Sequence, residues 1–166
     1  MDVRLINPFV AAISNVFETM VNVKVKIGKP VLKSAELISA DVSGVIGLSG
    51  DVQGCVVLSF PGPVACKLAS AFAGEEMTME HPDFADAIGE LANMVAGNAK
   101  KDFGDYNAAI SLPSVITGAG HNVSQSKAYP YLVIPCETPL GSFNVEVAFV
   151  AEKKAESVPQ PAGAAT

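Results

Sequence analysis

Phe9, Ile13, Val16, Phe17 and Met20 return at intervals of three and four behind Asn7-Pro8, a pair suited to opening a helix. Asn accepts from orphan backbone donors, and Pro at the first helical position gives up no useful one. The spacing predicts a helix over 8–21. Val23, Val25 and Ile27 then alternate with Lys24 and Lys26 before Gly28, the period-2 pattern of a half-exposed strand. Strands are predicted over 40–48 and 55–60, paired as a hairpin through the turn-forming stretch Ser49-Gly50-Asp51-Val52-Gln53-Gly54. Pro61-Gly62-Pro63 stops the second of them, a second helix covers 64–73, and Gly74 stands where a left-handed C-cap is wanted. A connector over 75–82 leads to a third helix at 83–103, with Asp83 and Asp86 in its first turn to suit the helix dipole and Gly104 at its end. Further strands are expected at 109–112, 115–118, 129–136 and 143–150, with Gly141 in the last hairpin turn.

On a helical wheel the third helix places Phe84, Ile88, Leu91 and Val95 on one apolar stripe, with Ala87 and Met94 at its margins. Asp86, Glu90, Asn93 and Gly97 fall together on the opposite, solvent-facing side, neighbours over about three turns. Gly89, Ala92 and Ala96 flank them, and Gly97, which costs roughly 1 kcal/mol of helix propensity against Ala, implies a close neighbour. Periodicity alone is better served by a simply wet helix face. The chain also echoes itself: Phe9-Val10-Ala11-Ala12-Ile13 lies over Phe84-Ala85-Asp86-Ala87-Ile88, and Pro30 has a counterpart in Pro113. In that overlay Glu90 falls on Asn15 and Asn93 on Glu18, so any single site belongs to the second half, and Glu18 reads at most as a relic.

With 166 residues and 49% hydrophobic content, one domain with a proper core is expected, over 1–151, followed by a disordered tail at 152–166 rich in Ala, Pro and Lys. The apolar residues are broken by 14 Gly and 11 Pro, so no window reaches the roughly 18 that a membrane span needs. The N-terminus lacks the basic start and apolar run of a secretion signal, which predicts a cytoplasmic protein. A net charge of -6 with only 11 scattered Lys and Arg argues against nucleic acid and for a protein partner offering basic residues. Cys55, Cys66 and Cys136 have no CxxC spacing and read as buried free thiols. His81 and His121 lie too far apart in sequence to pair as metal ligands, and the glycines between Gly44 and Gly54 fit hairpin geometry, not a phosphate loop. Asn122-Val123-Ser124 matches a glycosylation sequon, without meaning in a cytoplasmic chain, and Asn98 reads as a backbone-bonded residue at the core's edge.

The string Asp86-x-x-x-Glu90-x-x-Asn93-x-x-x-Gly97 resembles the signature of the CheC/CheX/FliY family, phosphatases that act on phosphorylated chemotaxis-type response regulators. The likeness extends to Asn7-Pro8-Phe9 with 16–20, to the stretch 41–50 and to Leu112-Pro113-Ser114-Val115, about 145 residues in all. One departure is that Pro113 follows Asn93 more closely than the family's proline usually follows its asparagine. With one Glu/Asn pair, the chain is similar to the CheX branch more than to CheC.

The resemblance implies an α+β fold in which two pseudo-repeated helix-plus-strands units share an antiparallel sheet, with the two long helices on one face. It also implies hydrolysis of the aspartyl phosphate of a CheY-type receiver. Asn93 would hold the attacking water, as a glutamine does in small GTPases, and Glu90 would dock a receiver lysine. Gly97 and Ala96 would let the helix lie close to the receiver, and Asp86 would be a helper or only a dipole-compensating residue. No cofactor of its own is expected: Mg²⁺ would arrive with the phosphorylated receiver. A homodimer through sheet edges is implied too, the strand near 115–118 suiting edge pairing. The alternatives are a non-catalytic receiver-binding or scaffold module using the same helix and, more remotely, a structural component of a flagellar switch.

Overall fold

Residues 3–33, 39–124 and 129–153 are described in the structure, a computed structural model. The first apolar recurrence winds into α1 (Ile6–Val16), preceded by a 3-10 turn (Val3–Leu5) and prolonged by a π-helical turn (Phe17–Val21) that stops at left-handed Asn22. The expected start is corrected: Leu5, not Asn7, is the N-cap, and no side chain caps the helix. Leu5 and Ile6 are themselves core residues, so burial carries the helix back past Pro8. The proline is still tolerated, because it falls within the first turn, where backbone donors have no intrahelical partner.

The remaining elements are β1 (Lys26–Ile27), β2 (Val31–Leu32), β3 (Ala40–Gly50), β4 (Val52–Phe60), α2 (Gly62–Ala73), α3 (Phe84–Lys101), β5 (Ala108–Ile110), β6 (Ser114–His121), β7 (Tyr131–Thr138) and β8 (Gly141–Ala151). The strands form one 8-stranded sheet in the order β1-β7-β8-β4-β3-β5, with β2 also on β7 and β6 also on β3. Every pairing in it is antiparallel. Exchanging β1 with β5, β2 with β6, β3 with β7 and β4 with β8 returns the same order reversed. The sequence echo is therefore a pseudo-twofold in the fold, and Pro30 and Pro113 do correspond: each immediately precedes its strand, β2 and β6.

Alternate residues of the central strands (Val42, Ile46, Val56, Leu58, Phe60, Val145, Val147 and Phe149) point to the helices and form the core with Phe9, Ile13, Phe17, Phe84, Ile88 and Leu91. Phe143 joins the two ends, stacked on Phe17 at 4.8 Å between ring centroids and 5.1 Å from Phe60. The expected architecture is the observed one, with α1 packed on α3.

Three local expectations are revised. Only Lys26 and Ile27 of the predicted 23–27 strand pair, with Glu137 and Cys136. Val25 comes opposite Thr138, the last residue of β7, without pairing with it, and Val23 lies beyond that end, so both only keep their alternating burial. The first hairpin is tighter than Ser49–Gly54 implied: Asp51 alone separates β3 from β4. Gly54 lies inside β4 at φ 152°, where an added Cβ would stand 1.9 Å from the Ala148 carbonyl oxygen. At the C-terminus, Glu152 donates its backbone N–H to Asp51 O at 2.9 Å and Lys153 approaches Asp105 at 3.6 Å. These two residues of the expected tail are held against the fold, and the rest of it lies outside the described residues.

The sheet face away from the helices carries what composition could not announce, a buried polar chain. Lys33 Nζ donates to Glu146 Oε2 at 2.6 Å and to Val123 O at 2.8 Å, and Ser59 Oγ donates to Glu146 Oε1 at 2.6 Å. Ser43 Oγ lies 3.5 Å from Ser59 Oγ and 2.8 Å from His121 Nε2, whose Nδ1 bonds Gly118 O at 2.7 Å.

Candidate functional site

The third helix is seated by small residues. A Cβ on Gly44 of β3 would lie 3.0 Å from Ala92 Cβ and 3.4 Å from Ile88 O, and one on Gly89 would lie 3.4 Å from Pro113. Leu91, Ala92, Val95, Ala96 and Ala99 are all fully buried beneath it. The inward stripe is therefore wider than the wheel of large apolar residues showed. It also corrects Ala96, which faces the protein's own core and cannot bring a partner closer. Lys100 and Lys101 in the last turn and Asp86 in the first complement the helix dipole.

What stays outside is the predicted face. Asp86 and Glu90 are exposed, and Asn93 and Gly97 are half-buried. Gly97 has only Ile110 Cδ1 near its missing Cβ, at 3.8 Å, which is ordinary contact. Beside Glu90 runs a groove of about 430 Å³ lined by Ala85, Asp86, Gly89, Glu90, Pro113 and Val115. A carboxylate and a carboxamide three residues apart thus share one face of a helix whose back is locked into the sheet, an arrangement able to enter a partner's site and align one water there.

The pseudo-related face of α1 is different. Asn15 Nδ2 donates to Asn98 Oδ1 at 3.3 Å, and Asn98 Nδ2 donates to Met94 O at 2.9 Å, which makes Asn98 a bonded residue between the two helices. Glu18 lies in the π-helical turn, so its spacing from Asn15 no longer follows the α-helical face that joins Glu90 to Asn93. His121 is bonded to Ser43 and Gly118, and His81 Nδ1 accepts from Asp83 N at 3.2 Å. Among the described residues no group of three or more His, Cys, Asp or Glu could hold a metal ion. Cys55 and Cys136 are buried, and burial pushes their thiols up to about 11 and about 12, whereas Cys66 is only partly covered. No described helix is long and apolar enough to cross a membrane.

Fold and site together define an α+β protein that presents one polar helix face beside a groove. The chain belongs to the chemotaxis phosphatase CheX family, whose model matches residues 42–137. It is 31% identical over 121 residues, 71% of this chain and 78% of the other, to the CheY-P phosphatase CheX of Thermotoga maritima. Among solved structures, a CheC-like superfamily protein from Shewanella sp. PV-4 superposes with a TM-score of 0.82 at 32% identity, covering 91% of this chain and all (100%) of that one. The CheX of Borrelia burgdorferi, solved in complex with CheY, BeF3 and Mg²⁺, superposes at 0.76 with 27% identity, covering 89% and 99%.

Proposed function

We propose that this protein hydrolyses the aspartyl phosphate of a phosphorylated CheY-type response regulator, Asn93 orienting the attacking water and Glu90 docking a receiver lysine. The observation that carries the reading is the exposed Glu90 one helical turn before the half-buried Asn93, on a helix fixed to the sheet from behind. The name of the Thermotoga maritima relative and the CheY complex of the Borrelia burgdorferi relative support it. A phosphorylated receiver brings its own Mg²⁺ and reactive phosphoryl group; what it lacks is an aligned nucleophile. A carboxamide both donates to and accepts from water, so Asn93 needs no base to place one in line with phosphorus. Two to three kcal/mol of positioning corresponds to roughly 30- to 150-fold acceleration. Glu90 gains strength against a lysine once docking excludes water. Asp86 lines the groove next to Glu90 and adds to the same negative face, and Gly97, with Ile110 Cδ1 3.8 Å from its missing Cβ, would leave room beyond Asn93 for a close approach.

We further propose that two copies pair through the outer edge of β6, which among the described residues hydrogen-bonds only β3, on its inner side. Sedimentation of wild-type protein beside Ile116→Lys tests this: the charge should yield monomer, and an unchanged mass would reject the edge.

The test of the main reading separates rate from binding. Asn93→Ala should bind the receiver as wild type does while losing the acceleration, because the amide acts only on the water. A change in affinity alone, with the rate at saturation unaltered, would instead favour a non-catalytic receiver-binding module.

A further inference from the structure

We propose that Leu112 is an apolar anchor for the phosphorylated receiver, packing against it beside Asn93; the inference rests on the phosphatase reading above. A lone exposed leucine is ordinary on a protein surface. Leu112 is set apart by its degree of exposure, its place and its stiffness.

It is 88% exposed, against 68% for Leu32, 42% for Met20 and Val31 and 40% for Ile116, the other exposed large apolar residues described. Its place follows from the two glycines of α3. Ile110 lies against Gly97, 3.8 Å from where a Cβ would be, and Pro113 lies against Gly89 at 3.4 Å. Those glycines bracket Asn93, four residues to either side. From 89 to 97 the helix advances about 12 Å, and from 110 to 113 an extended chain covers about 10 Å in the opposite sense. The Ser111-Leu112 bridge thus runs alongside the turn of α3 that carries Asn93.

The bridge is also rigid. Ser111 N donates to Gly47 O at 2.9 Å, Gly47 N donates to Ser111 Oγ at 2.8 Å, and that hydroxyl donates to the Leu112 carbonyl at 2.8 Å. Pro113 fixes the next backbone angle. A large apolar side chain is therefore held out into solvent on a backbone already ordered, which is the low-entropy-cost arrangement of an interface anchor. On its far side the surface continues through Pro113 into the groove that ends at Asp86 and Glu90. Apolar anchor, amide and carboxylate thus lie side by side on one surface.

The receiver is the occupant that this continuity selects. A second copy of the chain seated on Leu112 would also cover Asn93 and close the site, whereas a receiver whose phosphoryl group reaches the amide comes against Leu112 as well, because Leu112 lies alongside the turn that carries Asn93. The complementary surface is an apolar side chain of the receiver close to its phosphoaspartate.

The experiment measures equilibrium affinity, by fluorescence anisotropy, for a labelled CheY-type receiver activated with beryllofluoride and Mg²⁺, together with phosphate release from the phosphorylated receiver at saturation. Leu112→Ala should weaken binding by about tenfold or more while the rate at saturation stays close to wild type. Leu112→Met should restore affinity, and Leu32→Ala, on the opposite edge of the sheet, should leave it unchanged. An unchanged affinity for Leu112→Ala, or an equal loss for Leu32→Ala, would overturn the anchor while leaving the phosphatase reading intact. Wild-type protein that binds without accelerating release would remove the phosphatase reading yet still score the anchor, and wild-type protein that does not bind would overturn both.

Discussion

Glu90 stands free on α3 while Asn93, three residues on, is half-buried, and this difference in exposure divides the work proposed for them. A carboxylate that must find a lysine across solvent gains from reach and from an unobstructed field. An amide that must hold one water gains from a fixed rotamer. Glu90→Lys should therefore weaken receiver binding strongly at low ionic strength, with the gap to wild type narrowing as salt rises; affinity titrations at two salt concentrations check this, and a gap that ignores salt would argue against a charge contact. The face itself was legible in the sequence because spacings of three and four fix which side chains share a helix surface. Ala96 was misplaced by the same wheel, since an alanine carries too little hydrophobic signal to show that it faces inward. Leu112 was expected to end the strand at 109–112 and to belong to the family-like stretch 112–115, whereas β5 stops at Ile110 and leaves it in a bridge before β6; only its neighbours in space mark it as an exposed residue beside α3.

The helix depends on what lies beneath it. Gly44, 3.0 Å short of Ala92 through its absent Cβ, is where β3 lets α3 settle. Gly44→Val should force the helix off the sheet, cost about 1–3 kcal/mol and reduce turnover without touching any site residue; urea denaturation and phosphate release together test it. Ile88→Ala, emptying a fully buried position, should cost about 2–5 kcal/mol. A second element-level tie is Asp41, whose carboxylate accepts from Gly62 N at 2.8 Å, at the start of α2, and from Gly120 N at 3.2 Å, near the end of β6. These donors, Gly62 first, hold its carboxyl below the usual range. A lowered folded pKa contributes stability above the unfolded value of about 3.9 and loses it as pH falls through the folded value. Asp41→Asn should accordingly melt below wild type at neutral pH, with the gap closing under acid; a gap that widens on acidification would reverse the sign. Helix and strand periods announced most elements, but their ends were set by neighbours. β1 is short because β7 ends at Thr138, and α1 begins early because Leu5 and Ile6 are buried. Two-residue β2 is exposed throughout and has no period to read.

Across the whole molecule the two halves share one sheet under a pseudo-twofold; the echo between 9–13 and 84–88 announced the duplication, and the family resemblance the shared sheet. The chain that ties the halves together behind the sheet was not readable, because Lys33, Ser43, Ser59, His121 and Glu146 are scattered in sequence and meet only through strand register. Glu146 is 1% exposed and its partner Lys33 9%. Lys33→Met would leave that carboxylate buried and uncompensated, and should cost about 3–5 kcal/mol, whereas Lys33→Met with Glu146→Met should recover most of the loss; denaturation of the single and paired variants decides it. The reaction proposed for this scaffold lies on the opposite side, at α3. Its most direct test is the time course of phosphate release from a Mg²⁺-loaded, phosphorylated CheY-type receiver, alone, with wild-type protein and with Asn93→Ala. Wild type should accelerate release by roughly 30- to 150-fold, and Asn93→Ala should lose that acceleration while still binding the receiver; release at the receiver's own rate, with wild type bound, would mean that the protein binds the receiver without hydrolysing it.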